Sequence, residues 1–166
     1  MGWSEVAARS HARRLETIAA WLTGRGHGFS GARELLEDGE WAGQISWRDH
    51  RGYREATHRP DLVVHRNGGH VALEIEVAKK SVERLREILT RHLVWRSVGA
   101  TGGVVYACRD LDGCNRIRTV GADVGFVGTR HGLRVELLGT IKAQAIEARN
   151  AMRAESAATV GSAPAA

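Results

Sequence analysis

The sequence predicts a single mixed α/β domain: a central β-sheet that includes a β-hairpin, with helices packed on its faces. Three observations predict it. Residues 61 to 76 place two alternating apolar runs on either side of Asn67, Gly68 and Gly69, as a hairpin requires. From Ser81 to about Val98 the apolar residues recur at helical spacing. Beyond them "VVYAC" is a short continuous apolar run, the pattern of a strand buried on both faces. With 166 residues, the chain is about one ordinary domain long and can bury a core without disulfides or metals.

Taken in order, Ala8, Ala12, Leu15, Ile18 and Leu22 fall at steps of three and four and predict a helix ending at Gly24 and Gly26. Ser30 is the expected N-cap of a short second helix, "GARELLED", so that helices occupy 4–38. The core spans 41–138. Weak alternation predicts a strand from Gln44 to Arg48, then a polar loop. The hairpin follows, "DLVVHR" against "HVALEIEVA". Ser81 then caps a helix whose inner face is Val82, Leu85, Ile88, His92 and Trp95. A helix from Leu111 to Val120, strands near Val124 to Val127 and Leu133 to Leu138, and a last helix over 140–154 complete the domain. Residues 155–166 are small, Ala-rich and aperiodic, and are expected to be a disordered tail.

Composition narrows the function classes. A net charge of +5 and a pI near 9.9 favour an acidic partner, nucleic acid being the usual one. No run of 18 apolar residues occurs and the amino terminus lacks the apolar block of a signal peptide, so no membrane role and a cytoplasmic location are expected. Cys108 and Cys114 match no zinc-ligand spacing and are expected to be reduced and structural. Of 24 basic residues only Lys79, Lys80 and Lys142 are lysine. Two adjacent lysines at a strand end therefore mark a place where a compact charge with a shiftable pKa serves and arginine does not.

The hairpin holds a chemical anomaly. With Asn67 and Gly68 at the corner, Asp61 lies opposite Glu74; with Gly68 and Gly69 there, it lies opposite Glu76. Either register pools the acids on one face, while a three-residue loop would mix the faces. Like charges facing each other on a sheet destabilise it, so something must compensate. Neighbouring arginines on a solvated face are one answer. A hard divalent cation, Mg²⁺ or Mn²⁺, held by carboxylate oxygens is the other. His65 faces His70 in the first register, but without a third ligand these are read, with His58, as surface residues rather than a zinc site.

Pro60, Asp61, a hairpin's worth of chain, Glu74 and a nearby lysine, followed by a helix and a strand, resemble the PD-(D/E)XK nuclease superfamily, whose fold is restriction-endonuclease-like. More narrowly, "HRPDLVV", "VALEIEVAKKS", "ERLREIL" and "GGVVYACRD" are similar to the replication-relaxation family of actinobacterial plasmids and mobile elements. The likeness runs from about Trp21 to Leu138 and is densest from His58 to Asp110. The resemblance implies Mg²⁺- or Mn²⁺-dependent hydrolysis or nicking of DNA phosphodiesters, in the replication or mobilisation of a plasmid, phage or mobile element. It also implies that Asp61 and Glu74, with the carbonyl of Ile75, hold the metal; that Glu76 is a further ligand or a base; and that Lys80, with Lys79 in reserve, positions water or stabilises charge. Members of the family typically carry a winged-helix domain ahead of this one, for which no room is expected here, and Glu76 stands where its superfamily usually has lysine.

Each residue also has a structural alternative. Asp61 can cap the loop after Pro60, Glu76 can pair with Lys80, and the lysines can lie in solvent. Arg59, Arg84, Arg91 and Arg96 are the expected phosphate contacts, though a solvated face explains the helical ones as well. Glu16 or Glu34 would add a carboxylate, Trp3, Trp41 and Trp47 would stack on bases or pack, and His92 and Trp95 continue the core stripe. An inactive DNA-binding accessory module of the same fold, or an interaction domain with an acidic patch, are the competing functions. Oligomeric state is left open, a homodimer included.

Overall fold

A computed structural model describes residues 5–24, 27–66, 69–76, 78–126 and 132–161. The chain runs α1 (Glu5–Gly24), β1 (Gly28–Ser30), α2 (Ala32–Asp38), β2 (Gly43–Asp49), β3 (Gly52–His58), β4 (Leu62–Arg66), β5 (Gly69–Glu76), α3 (Val82–Ser97), β6 (Gly103–Cys108), α4 (Leu111–Val124), β7 (Leu133–Leu137) and α5 (Leu138–Gly161). It is a mixed α/β architecture. Five strands form the central sheet in the order β1-β4-β5-β6-β7, and β2 and β3 form a separate two-stranded ribbon. β1, β4 and β5 pair antiparallel, whereas β5, β6 and β7 run parallel.

The hairpin register follows from its side chains. Leu62 pairs with Leu73, Val64 with Val71 and Arg66 with Gly69, the register of a corner at 67–68, although those two residues lie outside the described ones. Alternation sends Leu62, Val64, Leu73 and Ile75 to one face, against Ile18 and Leu22 of α1 and Leu138 and Ile141 of α5. Ala72, Val104, Tyr106 and Cys108 go to the other, against Leu85, Ile88 and Leu89 of α3 and Cys114, Ile117 and Val120 of α4. Each such aliphatic side chain, fully buried, contributes about 1.5–3 kcal/mol. Both faces of the sheet are therefore closed, and β5 lies in its middle.

Four expectations are corrected. The polar loop after Arg48 is strand β3, whose alternate residues Tyr53, Glu55 and Thr57 are exposed while Arg54 and Ala56 are partly covered and His58 is largely covered. Its inner face carries too few apolar side chains for alternation to be read. Ser30 pairs in β1, and α2 is capped instead at Gly31, whose N–H donates to Glu34 Oε2 at 2.8 Å. The strand expected near Val124 is the end of α4. Gly125, at φ 111°, takes the left-handed cap conformation and Phe126 N–H donates to Gly121 O at 2.8 Å. Val127 lies outside the described residues. Finally, α5 continues to Gly161, so the expected tail is helical through that residue; Ala is the strongest helix former and needs no apolar periodicity to be helical. Among the described residues no helix is long and apolar enough to cross a membrane.

Candidate functional site

Three side chains from three elements converge beneath the ribbon. Glu74 shares its strand parity with Ala72 and so faces α3. His92 lies on the buried stripe of α3 with Leu85, Ile88, Leu89 and Trp95. His58 ends β3, opposite Gly43 in the ribbon. The ribbon is held at that place because Arg91, next to His92, donates through Nη2 to Gln44 O, and its aliphatic stem fills the space where a side chain at 43 would stand.

Glu74 Oε1 accepts from His58 Nε2 at 2.9 Å and from His92 Nε2 at 3.0 Å. All three residues are at least nine-tenths covered. Burial alone would raise the carboxyl's pKa, but the attraction and hydrogen bond of His58, joined by the hydrogen bond of His92, outweigh it. They hold Glu74 ionised, well below the usual carboxylate range. Burial dominates at His92, pushing its pKa down against the pull of Glu74, so its ring is neutral. With Nε2 donating, the other nitrogen is bare. Nδ1 of His92 is buried with no hydrogen-bond partner, and so is the hydroxyl of Tyr106, which pairs across from Glu74 in the β5–β6 ladder. Burial, then the nearby carboxylates, keep that phenol protonated. Trp95 stacks on His58 and packs edge-on to His92, walling the triad from solvent.

Asp61 reaches the same strand from the opposite side. It does not continue the ladder to Glu74: the last pair is Leu62 with Leu73, and Asp61 N–H donates to Leu73 O at 3.1 Å. Its Oδ2 accepts the Ile75 N–H at 2.7 Å, and His11 of α1 lies 3.1 Å from Oδ1. Asp61 is thus held from the α1 side and Glu74 from the α3 side, meeting at the Glu74–Ile75 peptide. Two acids placed directly across the ladder would repel; a step out of it gives each its own donors.

Glu76, buried, forms a third group. It pairs with the ammonium of Lys80, accepts the Lys80 backbone N–H at 3.2 Å, and meets Arg116 of α4 at 3.0 Å. Lys79 is exposed. With Glu76, Arg109, Asp110, Asp112 and Arg116 it lines a cleft of about 270 Å³ at the carboxyl ends of β5 and β6. Of the four expected phosphate contacts only Arg84 is exposed, and its guanidinium lies 5.0 Å over the Trp47 ring. Arg91 is engaged with β2, Arg96 lies by Gly132, and Arg59 is half-buried. His65 and His70 meet through Nδ1 at 3.0 Å, and His65 Nε2 also bonds Ser30 Oγ, apart from His58. Trp41 is buried, Glu16 is exposed, and both cysteines are free and buried. Trp3 lies outside the described residues.

The sequence reading passed over His92, His11 and Arg116 as partners of the acids. One signal was available: a histidine on a buried helical stripe needs a polar partner, and Glu74 on the facing strand had the parity to supply it. Among protein-family models, curated proteins and solved structures, none matches this chain.

Proposed function

We propose that the protein is a metal-dependent, nuclease-like hydrolase acting on DNA phosphodiesters, built on a restriction-endonuclease-like core. The observation that carries this reading is the 2.7 Å bond from Ile75 N–H to Asp61 Oδ2, which brings the first acid of the motif to the backbone of the second. The order of elements agrees with it. Three antiparallel strands, with Asp61 entering the second and Glu74 in the third, are followed by α3 and by β6 parallel to β5.

The donor set suits a divalent ion. Asp61 and Glu74 are ionisable carboxylates at one peptide, and Glu74 also has two imidazoles beside it, a mixture that favours Mn²⁺ or a softer ion over Mg²⁺. Glu74 would hold the ion, which when bound supplies Lewis acidity toward a phosphate, while Asp61 fixes the Glu74–Ile75 peptide from the α1 side. Glu76 is a positioning residue, since its carboxylate fixes the Lys80 ammonium at the strand end. Lys80 there offers charge to an anionic transition state, and Lys79 and Arg109, exposed around the cleft, offer contacts to the DNA backbone.

A second reading has its own observation. Every acid of the motif already has protein donors, with Asp61 and Glu74 held from opposite sides, which favours a DNA-binding module without turnover. Supercoiled plasmid incubated with Mg²⁺ or Mn²⁺ separates the two. Nicking that is lost in Asp61→Ala and in Glu74→Gln supports the hydrolase. Salt-sensitive DNA binding with no nicking in either metal replaces it with the second reading.

A further inference from the structure

We infer that His58, Glu74 and His92 form a binding site for a first-row transition ion of the zinc type, which fastens the β2–β3 ribbon to the central sheet. This deepens the metal-dependent reading, whose Glu74 it shares, by naming the class of ion, but it needs neither Asp61 nor catalysis.

Geometry is the first argument. One ligand atom from each residue, two imidazole nitrogens and a carboxylate oxygen, lies within 4.8 Å of the others, and both nitrogens are about 3 Å from Glu74 Oε1. Tetrahedral zinc, with bonds of about 2.0–2.1 Å, sets neighbouring donors about 3.3 Å apart. The two nitrogen-to-oxygen separations need open by only a few tenths of an ångström to match that spacing. Without an ion, Glu74 Oε1 accepts both N–H groups; an ion between the three would replace those two hydrogen bonds with three bonds.

Chemistry is the second. Two imidazoles and one carboxylate are a donor set for zinc and its neighbours, while Mg²⁺ prefers oxygen donors and keeps its waters.

Position is the third. The ribbon shares no ladder with the five-stranded sheet; among the described residues side chains hold it, including Ile45, Trp47 and Ala56 on the core, Arg84 over Trp47, Arg91 to Gln44, and this triad. A ligand on β3, another on β5 and a third on α3 would tie the ribbon, sheet and helix at a single point.

The test is titration of the chelator-stripped full chain with Co²⁺, Zn²⁺ and Mg²⁺. One equivalent of Co²⁺ is expected to give the intense visible bands of a four-coordinate nitrogen-ligated ion, displaced by Zn²⁺ but not by Mg²⁺. His58→Ala and His92→Gln are expected to weaken Zn²⁺ binding by about 100-fold or more, while His65→Ala, a histidine outside the triad, keeps the cobalt bands. A weak six-coordinate cobalt spectrum in the wild type overturns the inference, as do unchanged bands in both histidine variants. If circular dichroism shows either variant unfolded, the wild-type spectrum decides alone. Nicking is scored separately. Cobalt bands without nicking sink the hydrolase and keep the site; nicking without them does the reverse.

Discussion

Glu74 is ionised in a place where a lone carboxylate would be protonated, and His92 is neutral for the same reason of burial. Both facts make the fold acid-sensitive. A carboxyl whose folded pKa lies below its unfolded value of about 4.3 adds stability that is complete above that value and is lost as pH falls toward the folded one. A histidine whose folded pKa lies below about 6.5 behaves alike, because the unfolded chain takes up the proton first. The urea midpoint of metal-stripped protein is therefore expected to fall on acidification from pH 7, first through the His92 range and then through that of Glu74. Glu74→Gln should lose the second part; a wild-type profile flat from pH 7 to about pH 5 would contradict the His92 assignment, and one flat from about pH 4 to about pH 2 that of Glu74. At this scale the acids were legible as misplaced from strand parity alone. Their partners were less so, because helical spacing marks His92 as buried without saying which strand it faces, and His11 and Arg116 come from helices far off in sequence.

The elements that were legible are those whose pattern is set by one dominant force. The β4–β5 register follows from two apolar faces that a one-residue slip would exchange, and α3 from its stripe and the Ser81 cap, whose Oγ accepts the Arg84 N–H at 3.2 Å. β3 was hidden because its inner face is Arg54, Ala56 and His58, with no hydrophobic run, and α4 overran its expected end because Gly125, not Val120, stops it. One junction depends on backbone alone. Gly103 opens β6 at φ 159°, and a Cβ there would lie inside contact distance of the Gly132 backbone, which also accepts the Val104 N–H at 2.6 Å. Gly103→Ala is expected to cost about 3 kcal/mol or more in urea unfolding, since both partners are main chain and neither can turn aside. A loss below about 1 kcal/mol would mean that the β6–β7 start is looser than described.

On the scale of the whole molecule, the mixed sheet between two helical layers was readable from element order, whereas the detached ribbon was not, since no sequence period records which strands leave a sheet. Around the cleft at the carboxyl ends of β5 and β6, Lys79 and Arg109 are exposed, while most of the arginines of α3 expected to meet phosphate are used internally. If DNA is the partner, replacing Lys79 and Arg109 together by alanine should lower binding evenly across sequences and reduce the salt slope by about 2, measured by anisotropy at several salt concentrations. An unchanged slope would move the contact surface elsewhere.

The ribbon's ladder closes on itself, and this gives the molecule a door. Hydrogen bonds of β2 and β3 can all be kept while the pair swings away from α3, so its amides are expected to exchange with solvent deuterium as one cooperative unit, at a lower opening free energy than those of β5 and β6. That swing carries His58 away from Glu74 and admits water to the innermost charge of the protein. An ion bound there would slow the exchange of the ribbon far more than that of the sheet, so that occupancy of a buried triad could be read from the breathing of two strands on the surface.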